Sequence, residues 1–150
     1  MAALPTLLVH EERRRDQEAA RVRHAEAGAR HARAQAEQLG SYRSEYSARW
    51  REQLRERAAI EIVQCYRSFL QRLDQAIAQQ ARQVQQAEQR LAQARAVLLA
   101  QEQRCAAVRR LLERRTAAAQ LATQRSEQKH ADELALRMHR QRRSGATNPG

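Results

Sequence analysis

Residues 63–119 read VQCYRSFLQRLDQAIAQQARQVQQAEQRLAQARAVLLAQEQRCAAVRRLLERRTAAA, and a single period runs through them. Counting in sevens from Val63 gives Leu70, Ile77, Val84, Leu91, Leu98, Cys105, Leu112 and Ala119, the a positions of a heptad repeat. The d positions are weaker: Tyr66, Leu73, Gln80, Ala87, Ala94, Gln101 and Val108. An apolar stripe with this period lies along one side of an α-helix and marks the seam of a coiled coil.

A poorer stripe precedes it. Leu8, Val22, Ala29, Ala36 and Trp50 share one position and Leu4, Ala25, Ala32, Leu39 and Tyr46 the other, with Glu11, Arg15, Glu18 and Arg43 interrupting. Helix breakers are sparse: Pro5 and Pro149 flank the chain, and Gly28 and Gly40 are the only glycines before Gly145. Residues 41–144 therefore contain neither Gly nor Pro, in a composition of Ala, Gln, Arg, Glu and Leu that favours helix. One helix cannot bury its own stripe, and within one chain the nearest partner is the other stripe folded back. The predicted fold is all-α, an antiparallel two-helix coiled-coil hairpin with a longer second helix, forming a single coiled-coil domain over residues 1–150. The expected elements are helix 1 over about 6–52, a bend over about 53–61, helix 2 over about 62–140 and a disordered tail over 144–150. The bend is placed by a one-residue phase slip between the two stripes and by the charged run 51–57. The seam is expected to end near Val108, so roughly 30 residues of helix 2, 111–140, are left without a partner in the chain.

Composition bounds the function. The chain has 150 residues, of which 3% are aromatic, too few for a compact globular core of ordinary kind. Mean hydropathy is -0.87, and no window approaches the roughly 20 apolar residues of a membrane-spanning helix. The first nine residues lack the charged start and length of a signal peptide, so a cytoplasmic protein is expected. Lys129 is the only lysine, leaving arginine to dominate a net charge of +11 that attracts anionic partners without choosing among them. Cys65 and Cys105 fit no metal motif, and on one straight helix they would stand about 60 Å apart, so they read as free thiols.

Catalytic and metal chemistry find no support. His10, His24, His31, His130 and His139 never stand at i,i+4, the helical spacing of a metal pair. No Gly-rich phosphate loop or Ser/His/Asp set occurs, and a two-helix hairpin offers no cleft in which to shift a pKa. The chain reads as a non-enzyme without cofactor. Glu11/Arg15, Glu26/Arg30, Glu45/Arg49 and Glu133/Arg137 are i,i+4 pairs suited to solvated helix faces. Phe69 shares a face with Leu73 and Ala76, either as core edge or as an exposed anchor. Arg137, Arg140, Arg142 and Arg143 form a basic terminal run favoured by the helix dipole.

Three stretches carry a resemblance to a known family: Tyr42, Glu45 and Tyr46 closing helix 1; residues 69–77, FLQRLDQAI; and residues 122–135, ATQRSEQKHADELA. With their spacing, the chain from Leu4 to about Arg140 resembles the FliJ family of flagellar type III export proteins. The resemblance implies an antiparallel coiled coil similar to the central stalk of rotary ATPases. Its implied role is to couple the hexameric export ATPase to the cytoplasmic domain of the membrane export-gate protein and to export chaperones, in support of flagellar assembly and motility. By the same resemblance, Phe69, Leu73, Ala76 and Gln80 would contact the gate. Leu111, Arg114, Arg115, Leu121, Arg125, Glu127, Gln128, Lys129, Asp132, Glu133 and Leu134 would contact the ATPase. The implied location is cytoplasmic, peripheral on the inner face of the inner membrane.

Three alternatives stand beside this reading: the equivalent stalk of a virulence secretion system, a homodimeric scaffold, and a basic nucleic-acid binder. Arginines spread among acids and glutamines, with no aromatic stacking platform, speak against the last, so no nucleic acid is expected as a partner.

Overall fold

The computed structural model describes residues 3–57 and 59–146. Two helices account for nearly all of them, α1 over Ala3–Arg57 and α2 over Ile60–Ala146, and they pack against each other as a helical hairpin. Gly28 and Gly40 lie inside α1 without interrupting it. The turn is tighter than the phase slip suggests, because α1 continues to Arg57 and α2 begins at Ile60. Residues 53–57 and 60–61 are helical because they are good helix formers with no Gly, Pro or Asn among them. The Ala59 carbonyl accepts from the Ile62 and Val63 amides at 3.0 and 3.2 Å, closing the first turn of α2, and Glu61 complements the helix dipole there. At the other end, α2 runs to Ala146, through the first part of the stretch expected as a disordered tail. Ala58 and residues 147–150 lie outside the described residues.

The contacts group into two compact units, Glu11–Gln103, and Met1–His10 with Arg104–Gly150. In the first unit Val22, Ala29, Ala32, Ala87 and Leu91 form the buried cluster, with Ala25, Val84, Ala94 and Leu98 packed against it. Each is an a or d residue of one of the two stripes. Ala29 is only 1% exposed, so the two backbones approach closely here. Two glutamines at d positions of α2, Gln80 and Gln101, are buried as well. Gln80 Nε2 donates to the Ala32 carbonyl at 3.0 Å and to Gln35 Oε1 at 3.3 Å. Gln101 Nε2 donates to the Glu11 carbonyl at 3.0 Å and also to the Glu11 carboxylate. No buried side-chain N or O among the described residues lacks a partner, which is what a polar group inside a seam requires. Ion pairs cross between the helices, among them Arg33 to Glu88 at 3.0 Å, Arg43 to Asp74 at 2.5 Å and Arg95 to Glu26 at 3.6 Å. Glu26 thus reaches across the hairpin to Arg95 rather than along its own helix to Arg30.

In the second unit Cys105 and Val108 are buried and Leu4, Leu8 and Leu112 are half-buried. Pro5 lines a shallow groove with Leu112, Arg115, Thr116 and Ala119. The seam therefore extends one position past Val108, to Leu112. Every residue over 113–145 is exposed.

Candidate functional site

Two surfaces carry the residues singled out in the sequence. The first lies in the Glu11–Gln103 unit, near the turn. α1 presents Tyr42, Tyr46 and Trp50 at successive i,i+4 steps, and α2 presents Tyr66 and Phe69, so that every aromatic residue of the chain is gathered here. Tyr46 is the hub. Its ring centroid stands 4.5 Å from Phe69, 5.8 Å from Tyr66, 6.0 Å from Trp50 and 6.1 Å from Tyr42. Trp50 and Tyr66 are 5.4 Å apart, and the Tyr66 hydroxyl donates to Ser47 Oγ at 3.3 Å. These separations fall in the favourable range for offset and tilted aromatic pairs. The i,i+4 row of Tyr42, Tyr46 and Trp50 is legible in the sequence, but the cluster is not, because Tyr66 and Phe69 join it only through the fold.

Arg43 and Asp74 clasp the helices beside this cluster. The hydrogen bond from the Arg43 guanidinium holds the Asp74 carboxyl below its ordinary range against a smaller opposing effect of burial, and Asp74 in turn raises Arg43.

The four residues assigned by resemblance to the gate do not form one accessible face. Phe69 is 37% exposed, but Leu73 at 7% and Gln80 at 9% belong to the seam, and Ala76 is half-buried. Their spacing of three and four residues is the heptad's own, which turns Leu73 and Gln80 toward α1. Exposed apolar side chains on the same helices include Ile62, two turns before Phe69 on α2, and Tyr42, which stacks on Tyr46.

The second surface lies on α2 in the other unit. Leu111, Arg114, Arg115, Leu121, Arg125, Glu127, Gln128, Lys129, Asp132, Glu133 and Leu134 are all exposed. Leu136 and Met138, which no sequence motif singles out, are exposed as well. Gln128 Nε2 donates to Asp132 Oδ1 at 3.2 Å, one turn along the same helix. A shallow open depression is lined by Ser126, Glu127, Lys129, His130, Ala131, Glu133 and Leu134, adding Ser126, His130 and Ala131 to the residues already singled out.

No group of three or more His, Cys, Asp or Glu among the described residues could hold a metal, and Cys65 and Cys105 are free. No helix among the described residues is long and apolar enough to cross a membrane.

The sequence profile described as "Flagellar FliJ protein" matches residues 1–144. The chain belongs to the flagellar FliJ family. No individual curated protein matches it. Membership makes this FliJ-family chain a component related to flagellar export, of a family that is a structural and export component rather than a known enzyme. The match covers both surfaces and the whole seam between α1 and α2.

Proposed function

We propose that this FliJ-family chain couples the ATPase of the flagellar export apparatus to its membrane gate, acting through contact and not through catalysis. The observation that carries the reading is the segment 113–145, a continuous helix exposed along its whole length that nevertheless displays Leu121, Leu134, Leu136 and Met138. At about 1.5 Å per residue it extends roughly 50 Å. Leucines retained on a solvated helix fit a groove supplied by another protein, in the manner of helix-in-groove recognition. The hexameric export ATPase is the partner that the family suggests for that groove. Glu127, Gln128, Lys129, Asp132 and Glu133 then set orientation more than affinity, as charged groups at an interface generally do.

Phe69, with the exposed Ile62 and Tyr42, is the proposed contact for the cytoplasmic domain of the export gate, and export chaperones are further partners. The protein works in the cytoplasm, peripheral to the inner membrane, without cofactor and without nucleic acid. The test is removal of residues 121–150, which spares Leu112 and the groove residues beside Pro5. The shortened chain should keep its hairpin by circular dichroism yet fail to stimulate ATPase turnover. Undiminished stimulation would refute the coupling role of the segment.

A further inference from the structure

The turn gives this chain little reason to fold back where it does. Arg57, Ala58, Ala59 and Ile60 include none of the residues that favour turns, and alanine is the best of helix formers. The apolar stripe does not fix the alignment either, because it repeats every seven residues. A slip of one heptad would bring apolar positions opposite apolar positions again while the turn migrated by only about three or four residues.

We infer that the alignment of α1 with α2 is written in a polar code along the seam, made of two glutamine latches and a charge-alternating ladder. The latches repeat. Gln80 and Gln101 are three heptads apart on α2, and the carbonyls they reach, at Ala32 and Glu11, are three heptads apart on α1. Each amide takes a second acceptor from a side chain, Gln35 in one case and the Glu11 carboxylate in the other. Slipped one heptad toward the start of α1, the side-chain acceptors Gln35 and Glu11 would be replaced by Gly28 and Leu4, whose side chains accept nothing.

The ladder guards both directions. Arg33 pairs with Glu88 and, one heptad away on each helix, Glu26 pairs with Arg95. The signs alternate along each helix, so one slip sets Glu26 against Glu88 and the opposite slip sets Arg33 against Arg95. Like charges beside a seam select against the wrong alignment, as flanking charges do in coiled coils generally. The third pair selects for the same alignment, since a slip would place Asp74 opposite Ala36 or Trp50 instead of Arg43.

The experiment is a spin-label distance measurement on the full chain with Cys65→Ser and Cys105→Ala. Labels go at Ala20 and Gln83, both exposed and out of step along the hairpin axis, where a one-heptad slip changes the axial offset by about 10 Å. The parent should give one narrow distribution. Combining Gln80→Leu, Gln101→Leu, Glu88→Arg and Arg95→Glu removes the latches and inverts one side of the ladder, so the distribution should split or move by about that amount. Adding Glu26→Arg and Arg33→Glu restores opposite charges in the native alignment and should return the parent distance. If the four-residue variant melts instead, the same two additions should raise its melting temperature. A four-residue variant that keeps the parent distance would overturn the inference. So would an equal shift from the exposed control pair Gln79→Leu and Gln103→Leu, or failure of the compensating pair to recover either distance or melting.

Discussion

Leu91→Ala and Leu134→Ala make the same chemical change at sites that the structure treats oppositely. Leu91 is 6% exposed, in the cluster with Val22, Ala29, Ala32 and Ala87, while Leu134 is 53% exposed on the free segment. At Leu91 the change removes three carbons from an apolar contact, and at about 0.8 kcal/mol for each buried methylene the transfer loss is roughly 2.4 kcal/mol. In a deep globular core the cavity left behind can raise such a loss to about 5 kcal/mol. A seam only two helices thick is open on both flanks, so neighbouring side chains and water can refill the space. We therefore expect about 2–3 kcal/mol at Leu91 and less than about 0.5 kcal/mol at Leu134, where only helix propensity changes. Urea unfolding followed by circular dichroism measures both. A comparable loss at Leu134 would mean that the free segment is covered in the isolated protein, for example by a second copy. The argument that its leucines await a partner would then fail.

Gly28 and Gly40 lie within α1, and an added Cβ at either would meet nothing within 4 Å, so Gly28→Ala and Gly40→Ala should each stabilise the hairpin by about 0.5–1 kcal/mol in thermal melts. Asp74 has its carboxyl lowered by Arg43, so its contribution to stability is present above the ordinary carboxylate pKa and is lost as pH falls through the folded value. Asp74→Asn should accordingly melt below the parent at neutral pH and converge with it in acid; a gap that persists at the lowest pH would assign the loss to something other than the ionised pair. Phe69→Ala should weaken binding to the gate domain in a pull-down or titration, and through the lost Tyr46 contact it should also cost about 1 kcal/mol of stability, so binding must be measured well below the melting temperature.

The heptad from Val63 to Leu112 is legible in the sequence because a coiled-coil seam is a one-dimensional object: which residues are hidden follows from period alone. α1 is harder. Glu11, Arg15 and Glu18 interrupt the apolar pattern, yet they occupy seam positions, and Glu18 is buried at 9% beside Arg21. The turn can be placed only approximately because it leaves no chemical trace, and α2 outruns its expected end because Arg142, Arg143 and Ser144 carry no stop signal before Gly145. For the candidate sites, exposure of the segment beyond Leu112 follows from the unequal lengths of the two stripes. The burial of Leu73 and Gln80 follows from their d positions, but how far Phe69 and Ala76 beside them remain accessible does not follow from spacing alone. Residues one turn apart on a seam helix share a face, but only the position of α1 decides which of them it covers.

The small residues of the seam and its buried glutamines belong to one arrangement. Ala29, Ala32 and Ala87 are buried with almost no side chain of their own, so the stretch they line is narrow, and a narrow seam contributes less apolar burial than one built from leucine. The same narrowness brings the α1 backbone close enough for an amide on α2 to reach a carbonyl. Gln80 Nε2 meets the carbonyl of Ala32 at 3.0 Å, and a leucine at that α1 position would cover the carbonyl and hold the helices further apart. Nearer the turn the contact is made instead by Tyr46, Trp50, Tyr66 and Phe69, large rings that supply the area the alanines do not. Stability is thus concentrated around the aromatic cluster and the Leu91 layer, while specificity of alignment resides in the polar layers. A hairpin divided in this way can leave the exposed leucines beyond Leu112 free of any structural duty, which is the condition under which they are available to another protein.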